Sequence, residues 1–334
     1  MTPSAGTAAI PVSVLTGALG AGKTTLLNAM LKGGALENAA IVVNEFGAVG
    51  IDHRLIESST EDVVLLPGGC VCCQVRADLA EALLRLERGV RRGDIPAFAR
   101  VAVETSGLAE PGPILQLFVE SPALRGRFRL ESLVTLVDAQ LGLAALEEAG
   151  TAYRQALLAD RLLLGKAELV DPGAVRALEA RLDEVNAHAE RARVARGTAD
   201  AAWLAAPRVT PGRPVPAGAL RAAHDEAIES FVLSWDAPQP LAAIGDWLHA
   251  LAGTHGARLL RVKGIVMAAE ADSPVAVHAV QHLVSPPEFL GGAASASRVV
   301  FITRGLEPGD VLPPWPASVE SVARAPAAPA LRLR

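Results

Sequence analysis

The chain has 334 residues, of which 51% are hydrophobic and 20% are charged, and its formal net charge is −5 at pH 7. This composition excludes a disordered chain, and the mild acidity provides no basic surface for nucleic acid. Because no apolar run approaches the roughly 20 residues of a membrane span, and no charged leader precedes the first apolar stretch, we expect a cytoplasmic protein without membrane or nucleic-acid partners.

The first apolar segment runs into a glycine-rich loop. Ile10–Leu15 is a strand candidate, the loop Gly17–Thr24 has the pattern G-x-x-x-x-G-K-[ST], and Thr25–Leu31 is a helix candidate. In this context the loop amides form an anion nest, Lys23 reaches the β- and γ-phosphates, and the Thr24 hydroxyl is offered to Mg²⁺. The residues expected to bind the phosphates are Gly17, Gly20, Ala21, Gly22, Lys23, Thr24 and Thr25.

A second acidic motif follows another strand candidate. Val101–Val103 leads into Glu104-Thr105-Ser106-Gly107. A carboxylate at this point can hold Mg²⁺, and the Gly107 N–H can sense a γ-phosphate. An ordinary loop at a strand end is the alternative interpretation, and the position of the motif behind the phosphate loop favours the functional one.

The three cysteines lie within four positions, as Cys70-Val71-Cys72-Cys73. Thiolates at this density bind soft or borderline metals such as Zn²⁺. Three of them leave one tetrahedral position for water, another side chain or an acceptor protein, which suits loading and unloading. Buried core thiols and a redox switch are the alternatives.

Gly165-Lys166-Ala167-Glu168 occupies the position where guanine-binding GTPases carry Asn-Lys-x-Asp. Glu168 could accept hydrogen bonds from the guanine edge and Lys166 could lie along the base, whereas Gly165 cannot replace the Asn amide. A plain strand end with a surface lysine is the alternative. The choice between guanine and adenine therefore stays open.

Short apolar strands alternate with helices, including a helix from about Asp78 to Arg92. This alternation predicts an α/β fold with a mostly parallel, helix-covered sheet and ligands at the carboxyl ends of its strands. Shifts in composition predict a nucleotide-binding domain at 8–205, a linker at 206–226, a small α+β domain at 227–311 and a flexible Pro/Ala-rich tail at 312–334.

These motifs together resemble, in order and spacing, the CobW-type GTPases, the metal-chaperone branch of the P-loop GTPases related to HypB and UreG. The stretches that carry the resemblance are Gly17–Thr24, Asn44–Asp52, Gly69–Cys73 and Glu104–Pro111. Two later stretches resemble the CobW C-terminal domain: Leu260–Val266 and Val299–Ile302.

The resemblance implies a P-loop NTPase fold of the SIMIBI class and a GTP hydrolase that uses Mg²⁺. It also implies a metallochaperone that couples GTP or GDP binding to delivery of a metal, most often Zn²⁺, to a client metalloprotein. Its switch loops would be Asn44–Asp52 and Glu104–Pro111, with Asp52 near Mg²⁺ and Glu45 a further candidate near the metal.

Two other functions remain open from the residues: a metal- or redox-sensing switch that barely hydrolyses nucleotide, and a small-molecule kinase that uses the same loop. The sequence also leaves open which protein is the client, whether the physiological metal is zinc or cobalt, and whether the chain forms a homo-oligomer.

Overall fold

The structure is a computed structural model that describes residues 9–44, 63–66, 72–148, 150–195, 200–204, 228–290 and 294–325. The chain divides into two compact units. The first comprises residues 1–140, 159–171 and 191–207, and the second comprises residues 141–158, 172–190 and 208–334.

The first unit is built on a seven-stranded sheet in the order β3-β2-β4-β1-β5-β6-β7. Its strands are β1 (Ile10–Thr16), β2 (Ala39–Asn44), β3 (Val63–Leu66), β4 (Arg100–Glu104), β5 (Phe128–Asp138), β6 (Arg161–Gly165) and β7 (Glu190–Val194). Every pairing from β3 across to β6 is parallel. The carboxyl ends of these strands therefore meet at one edge, where ligands bind in sheets of this type.

The described part of this unit contains the helices α1 (Lys23–Lys32), α2 (Cys72–Arg92) and α3 (Pro111–Glu120). Helix α1 buries Leu26, Leu27 and Met30 against the sheet. Helix α2 begins six residues before the predicted Asp78. The prediction missed these residues because it relied on regularly spaced apolar side chains, which the first turn of the helix lacks. The predicted helix-covered, mostly parallel sheet is confirmed.

A short segment at residues 200–204, here called the strap, packs on this sheet. Leu204 is fully buried in the core, and its carbonyl accepts hydrogen bonds from the hydroxyls of Ser13 on β1 and Ser132 on β5. The guanidinium of Arg161 on β6 donates to the carbonyl of Ala202. Three strands thus hold the strap by polar side chains that are themselves buried.

The second unit contains an antiparallel sheet in the order β11-β10-β9-β13-β8-β14, with β12 paired to β10. Its strands are β8 (Ile228–Trp235), β9 (Leu259–Val266), β10 (Val275–Val280), β11 (Leu283–Val284), β12 (Glu288–Phe289), β13 (Ser297–Arg304) and β14 (Ser318–Ala325). Its helices are α4 (Gly142–Glu147), α5 (Thr151–Leu158), α6 (Pro172–Val185) and α7 (Leu241–His255). Among the helices described in both units, none is long and apolar enough to cross a bilayer.

Two features of this unit lie outside the range 227–311 that the sequence predicted for the second domain. Helices α4, α5 and α6, which precede residue 205, group with the second unit, since composition does not report which neighbour a helix packs on. The predicted tail from 312 also contains β14, which pairs with β8. Pro313, Pro314 and Pro316 suggested a tail, but they end before β14 and leave its amide groups available for pairing.

Candidate functional site

The glycine-rich loop connects β1 directly to α1. Gly17 has a φ of 144°, and a Cβ there would overlap the Leu136 carbonyl of β5, so the loop can lie against that strand only with glycine at this position. Gly22, with a φ of 99°, forms the N-cap of α1. The loop and the first turn of a helix therefore present backbone N–H groups at the same edge of the sheet.

Lys23 is the first residue of α1, and its side chain is buried. Its ammonium donates hydrogen bonds to the carbonyl oxygens of Gly17, at 2.9 Å, and Ala18, at 3.1 Å. These contacts hold the charged group against the backbone of the glycine-rich loop.

Thr24 and Glu104 are brought together although 80 positions separate them. Strand β4 lies beside β1, with Glu104 in register with Leu15, so that the last residue of β4 reaches the start of α1. The Thr24 hydroxyl donates to Glu104 Oε1 at 2.7 Å, and Glu104 is only 5% exposed. A hydroxyl and a carboxylate beside a phosphate loop are hard oxygen donors, and this donor set fits Mg²⁺.

The loop after β4 touches the glycine-rich loop. The Thr105 N–H donates to the Leu15 carbonyl at 3.0 Å, and a Cβ on Gly107 would overlap the backbone of Leu19. Glycine at 107 therefore allows two backbones to approach more closely than a side chain would permit. Gly107 therefore lies directly against the glycine-rich loop at Leu19.

A pocket of about 270 Å³ opens beside the glycine-rich loop. Predicted residues that line it are Ala21, Gly22, Thr25, Lys166 and Glu168. Its other walls are Leu26, Ala29, Leu136, Gly165, Leu169, Val194 and Ala195. The pocket is apolar with few polar groups, as expected for a planar ring system attached to the phosphates.

The predicted metal-binding cysteines are only partly covered by the structure. Cys70 lies outside the described residues, as do Glu45 and Asp52. Cys72 and Cys73 open helix α2, and only their backbone is described. Among the side chains that the structure does describe, no group of three or more His, Cys, Asp or Glu residues is placed to hold a metal ion.

Two known protein families match most of this chain. Residues 11–193 match the CobW/HypB/UreG nucleotide-binding domain, and residues 228–312 match the cobalamin synthesis protein CobW C-terminal domain. The chain belongs to the CobW/HypB/UreG family. The glycine-rich loop, Glu104 and most of the pocket lining lie within the range that matches the nucleotide-binding domain.

Two curated relatives carry functional names. The chain is 37% identical over 195 residues to the zinc chaperone YjiA of Escherichia coli K12, covering 58% of this chain and 60% of the relative. It is 32% identical over 184 residues to zinc-regulated GTPase metalloprotein activator 1 of Schizosaccharomyces pombe, covering 53% and 44%. The chain therefore spans less than two thirds of the length of either relative.

A solved CobW-family structure shares the fold across both units. The Zn(II)-bound YjiA GTPase from E. coli matches 91% of this chain and 97% of its own, with a TM-score of 0.64 and 26% identity. The resemblance inferred from the motifs is confirmed.

Two residues at this candidate site were not singled out from the sequence. Leu136 forms part of the pocket wall, and Asp138 contacts Lys166. The available signal was an Asp that ends the otherwise apolar run Leu133–Val137, where a carboxylate is buried only if something pairs with it.

Proposed function

We propose that this chain is a Mg²⁺-dependent GTPase that acts as a metallochaperone, with Zn²⁺ as cargo and a client metalloprotein as acceptor. The observation that carries the nucleotide part is the Thr24 hydroxyl at 2.7 Å from Glu104 Oε1, beside Lys23 and the glycine-rich loop. In P-loop enzymes these parts act mainly by positioning and by electrostatic stabilisation of phosphate oxygens.

The phosphate contacts come from this chain's own groups. The loop amides and the N-terminus of α1 bind the phosphate oxygens, and Lys23 turns from the loop carbonyls toward the β- and γ-phosphates. Gly107 lies against the loop, and its N–H is the proposed contact to the γ-phosphate. Once Lys23 has turned, these donors surround the phosphates before the chemical step, so that little further reorganisation accompanies charge development.

Thr24 and Glu104 would hold Mg²⁺, which supplies neutralising charge for the phosphate oxygens. Asp52 is the third candidate ligand and lies outside the described residues. Glu104 is buried at the end of β4, so its carboxylate stays fixed beside the Thr24 hydroxyl.

Guanine is the proposed base. Glu168 lines the pocket and offers a carboxylate for the guanine N1–H and N2–H₂ donors, while Lys166 forms an adjacent wall. A Cβ at Gly165 would lie 3.3 Å from Leu136 Cδ1, so this position tolerates glycine best in the present packing. Support for GTP over ATP also comes from the relative named a zinc-regulated GTPase and from the similar structure of the YjiA GTPase.

The cargo site is assigned to Cys70, Cys72 and Cys73. The sequence pattern supports Zn²⁺, as do the names of the two relatives and the related Zn(II)-bound structure. Strand β3 is parallel to β2, so Leu66 ends at the same edge of the sheet as the glycine-rich loop. The cysteines begin four positions after that residue, which favours coupling between nucleotide and cargo.

The test is a Zn²⁺ competition titration in the presence of GTP, GDP, ATP or no nucleotide, together with a phosphate-release assay. We expect Zn²⁺ affinity to change with GTP and GDP and to respond little to ATP. Lys23→Ala should abolish turnover and leave Zn²⁺ affinity in the absence of nucleotide unchanged, whereas Lys32→Ala at the other end of α1 should leave both unchanged.

Each failure points to a different function. Zn²⁺ affinity that is independent of nucleotide would favour a sensing switch over a delivery cycle. Phosphate transfer from GTP to a metabolite instead of water would favour a small-molecule kinase. Turnover retained by Lys23→Ala would contradict the assigned phosphate site.

A further inference from the structure

Asp138 is a buried carboxylate at the end of β5 that the proposed reaction does not use. It is 5% exposed, and both of its oxygens accept hydrogen bonds. Oδ1 accepts from the Gln140 N–H at 2.8 Å, and Oδ2 accepts from the Lys166 ammonium at 2.6 Å. A carboxylate in such a position is stabilised only by pairing, so Lys166 and Asp138 depend on each other.

The backbone and the side chain of Lys166 are both constrained by neighbouring groups. Lys166 follows Gly165, whose carbonyl accepts from the Ala139 N–H at 2.9 Å, so the loop after β6 is tied to the end of β5. Its backbone has a φ of 61°, a left-handed conformation that non-glycine residues adopt only where the surroundings impose it. Its ammonium also donates to the Gly20 carbonyl in the glycine-rich loop at 2.9 Å.

Asp138, Lys166 and Gly20 therefore form a connected set, here called the Lys166 clamp. It joins the end of β5, the loop after β6 and the glycine-rich loop within one unit. The lysine stem between these contacts is also a wall of the pocket that contains Glu168. Whatever fixes the ammonium of Lys166 thus fixes the shape of that wall.

We propose that Asp138 is a positioning residue for the base of the nucleotide, acting through Lys166. This inference rests on the proposed function, since it assumes that the pocket binds a nucleotide base. A free lysine side chain has four rotatable bonds, and ordering it when a ligand binds lowers affinity. Asp138 orders it beforehand, so that the stem lies along one side of the planar ring while Glu168 faces its edge.

The location of the Lys166 clamp predicts which ligands should bind more weakly when the clamp is broken. Lys166 lines the base pocket, whereas Lys23, Thr24 and the loop amides surround the phosphate position. Loss of the Asp138 charge should therefore weaken the binding of nucleoside phosphates and leave the binding of a base-free polyphosphate almost unchanged. A residue that merely stabilised the fold would not discriminate between these two ligands.

The test compares Asp138→Asn with the unsubstituted full chain, using GDP and inorganic triphosphate as binding probes and GTP for kinetics. Asn keeps an acceptor for the Gln140 N–H but removes the charge that holds Lys166. We expect Kd for GDP and KM for GTP to rise about tenfold, which corresponds to about 1.4 kcal/mol. We expect kcat and the Kd of triphosphate to stay within about twofold.

A matched control lies at the opposite end of β6, beside the middle of β5. The Asp160 carboxylate accepts from the Leu133 N–H at 2.7 Å, at the amino end of β6. Asp160→Asn also removes a carboxylate charge between β5 and β6, and it should change neither GDP nor triphosphate binding. If it shifted GDP binding as much as Asp138→Asn does, the clamp would not be the cause.

A double-mutant cycle covers the case in which Asp138→Asn folds poorly. Lys166→Met keeps the stem and removes the ammonium, and Asp138→Asn/Lys166→Met leaves neither charge buried without its partner. The double variant should bind GDP no more weakly than Lys166→Met alone, because Asp138 acts only through Lys166. Additive losses would overturn the proposal.

Other outcomes separate this inference from the proposed function. Unchanged GDP binding in Asp138→Asn would overturn the positioning role and leave the proposed GTPase intact. Equal weakening of GDP and triphosphate would show that Asp138 acts through the phosphate loop and not through the base. Absence of GDP binding by the unsubstituted protein would remove the proposed function and this inference with it.

Discussion

Protonation of His188 is expected to destabilise the second unit in mild acid. His188 follows α6, is 7% exposed and faces the backbone of Ser230 on β8. Burial lowers the pKa of its imidazole from 6.5 to about 4, and the Ser230 backbone and the Glu320 carboxylate on β14 only partly oppose this shift. Glu320 is itself paired with Arg298 at 3.0 Å, which limits how far it can favour the imidazolium.

The sign and size of the effect follow from proton linkage. Between pH 6.5 and pH 4 the unfolded chain binds a proton at His188 and the folded chain does not, so acid favours unfolding across this window. The free energy of unfolding therefore falls as the pH decreases, by about 1.4 kcal/mol per unit. The 2.5 units between the two pKa values correspond to about 3 kcal/mol, present above pH 6.5 and lost by pH 4.

The assay is urea unfolding of the unsubstituted chain and of His188→Gln at pH values from 8 to 4. The cluster of Trp235, Trp247 and Trp315, with ring centroids 5.5–6.0 Å apart, lies in the same unit and provides a fluorescence signal. We expect the stability difference between the two proteins to shift by about 3 kcal/mol toward the variant as the pH falls. His249→Gln, at an exposed histidine on α7, measures how much the pH dependence of stability changes when an exposed histidine is removed.

A stability difference that stayed constant within about 0.5 kcal/mol from pH 7 to pH 4 would refute the reasoning. It would mean that the folded chain accepts the proton at His188 as readily as the unfolded chain does. A larger shift in His249→Gln than in His188→Gln would assign the acid sensitivity to exposed groups instead.

The parts of the site that the sequence predicted depend on short-range pattern. A strand, a glycine-rich loop and a helix that opens with Lys23 and Thr24 are contiguous, so their geometry follows from local residues. Alternation of strands and helices indicated a parallel sheet, and a parallel sheet sends all its strand ends to one edge. Glu104 could therefore be expected near the phosphate loop without knowledge of the strand order.

The parts that could not be predicted depend on which strands are neighbours. Asp138 meets Lys166 across 28 positions because β5 lies beside β6, and Ser13 meets Leu204 across 191 positions because the strap returns to β1. Nothing in the spacing of these residues reports such pairings. A buried Asp or Ser at a strand position signals that a partner exists and does not identify it.

Two further predictions test contacts that the strand order creates. Gly107→Ala should weaken GTP binding about tenfold or more, because its Cβ would displace the phosphate loop at Leu19. Gly112→Ala, where a Cβ would meet open space, should leave GTP binding unchanged. Equal GTP affinities of the two variants by calorimetry would contradict this prediction. The strap prediction concerns the Leu204 carbonyl, which accepts from both Ser13 and Ser132. Ser132→Ala leaves one donor and should cost about 1 kcal/mol in unfolding free energy. Ser13→Ala/Ser132→Ala removes both donors from a buried acceptor and should cost more than the sum of the single changes, since the full desolvation penalty of about 1–3 kcal/mol then applies. Strict additivity in urea unfolding would show that the carbonyl finds another donor and that the two serines do not act together on the strap.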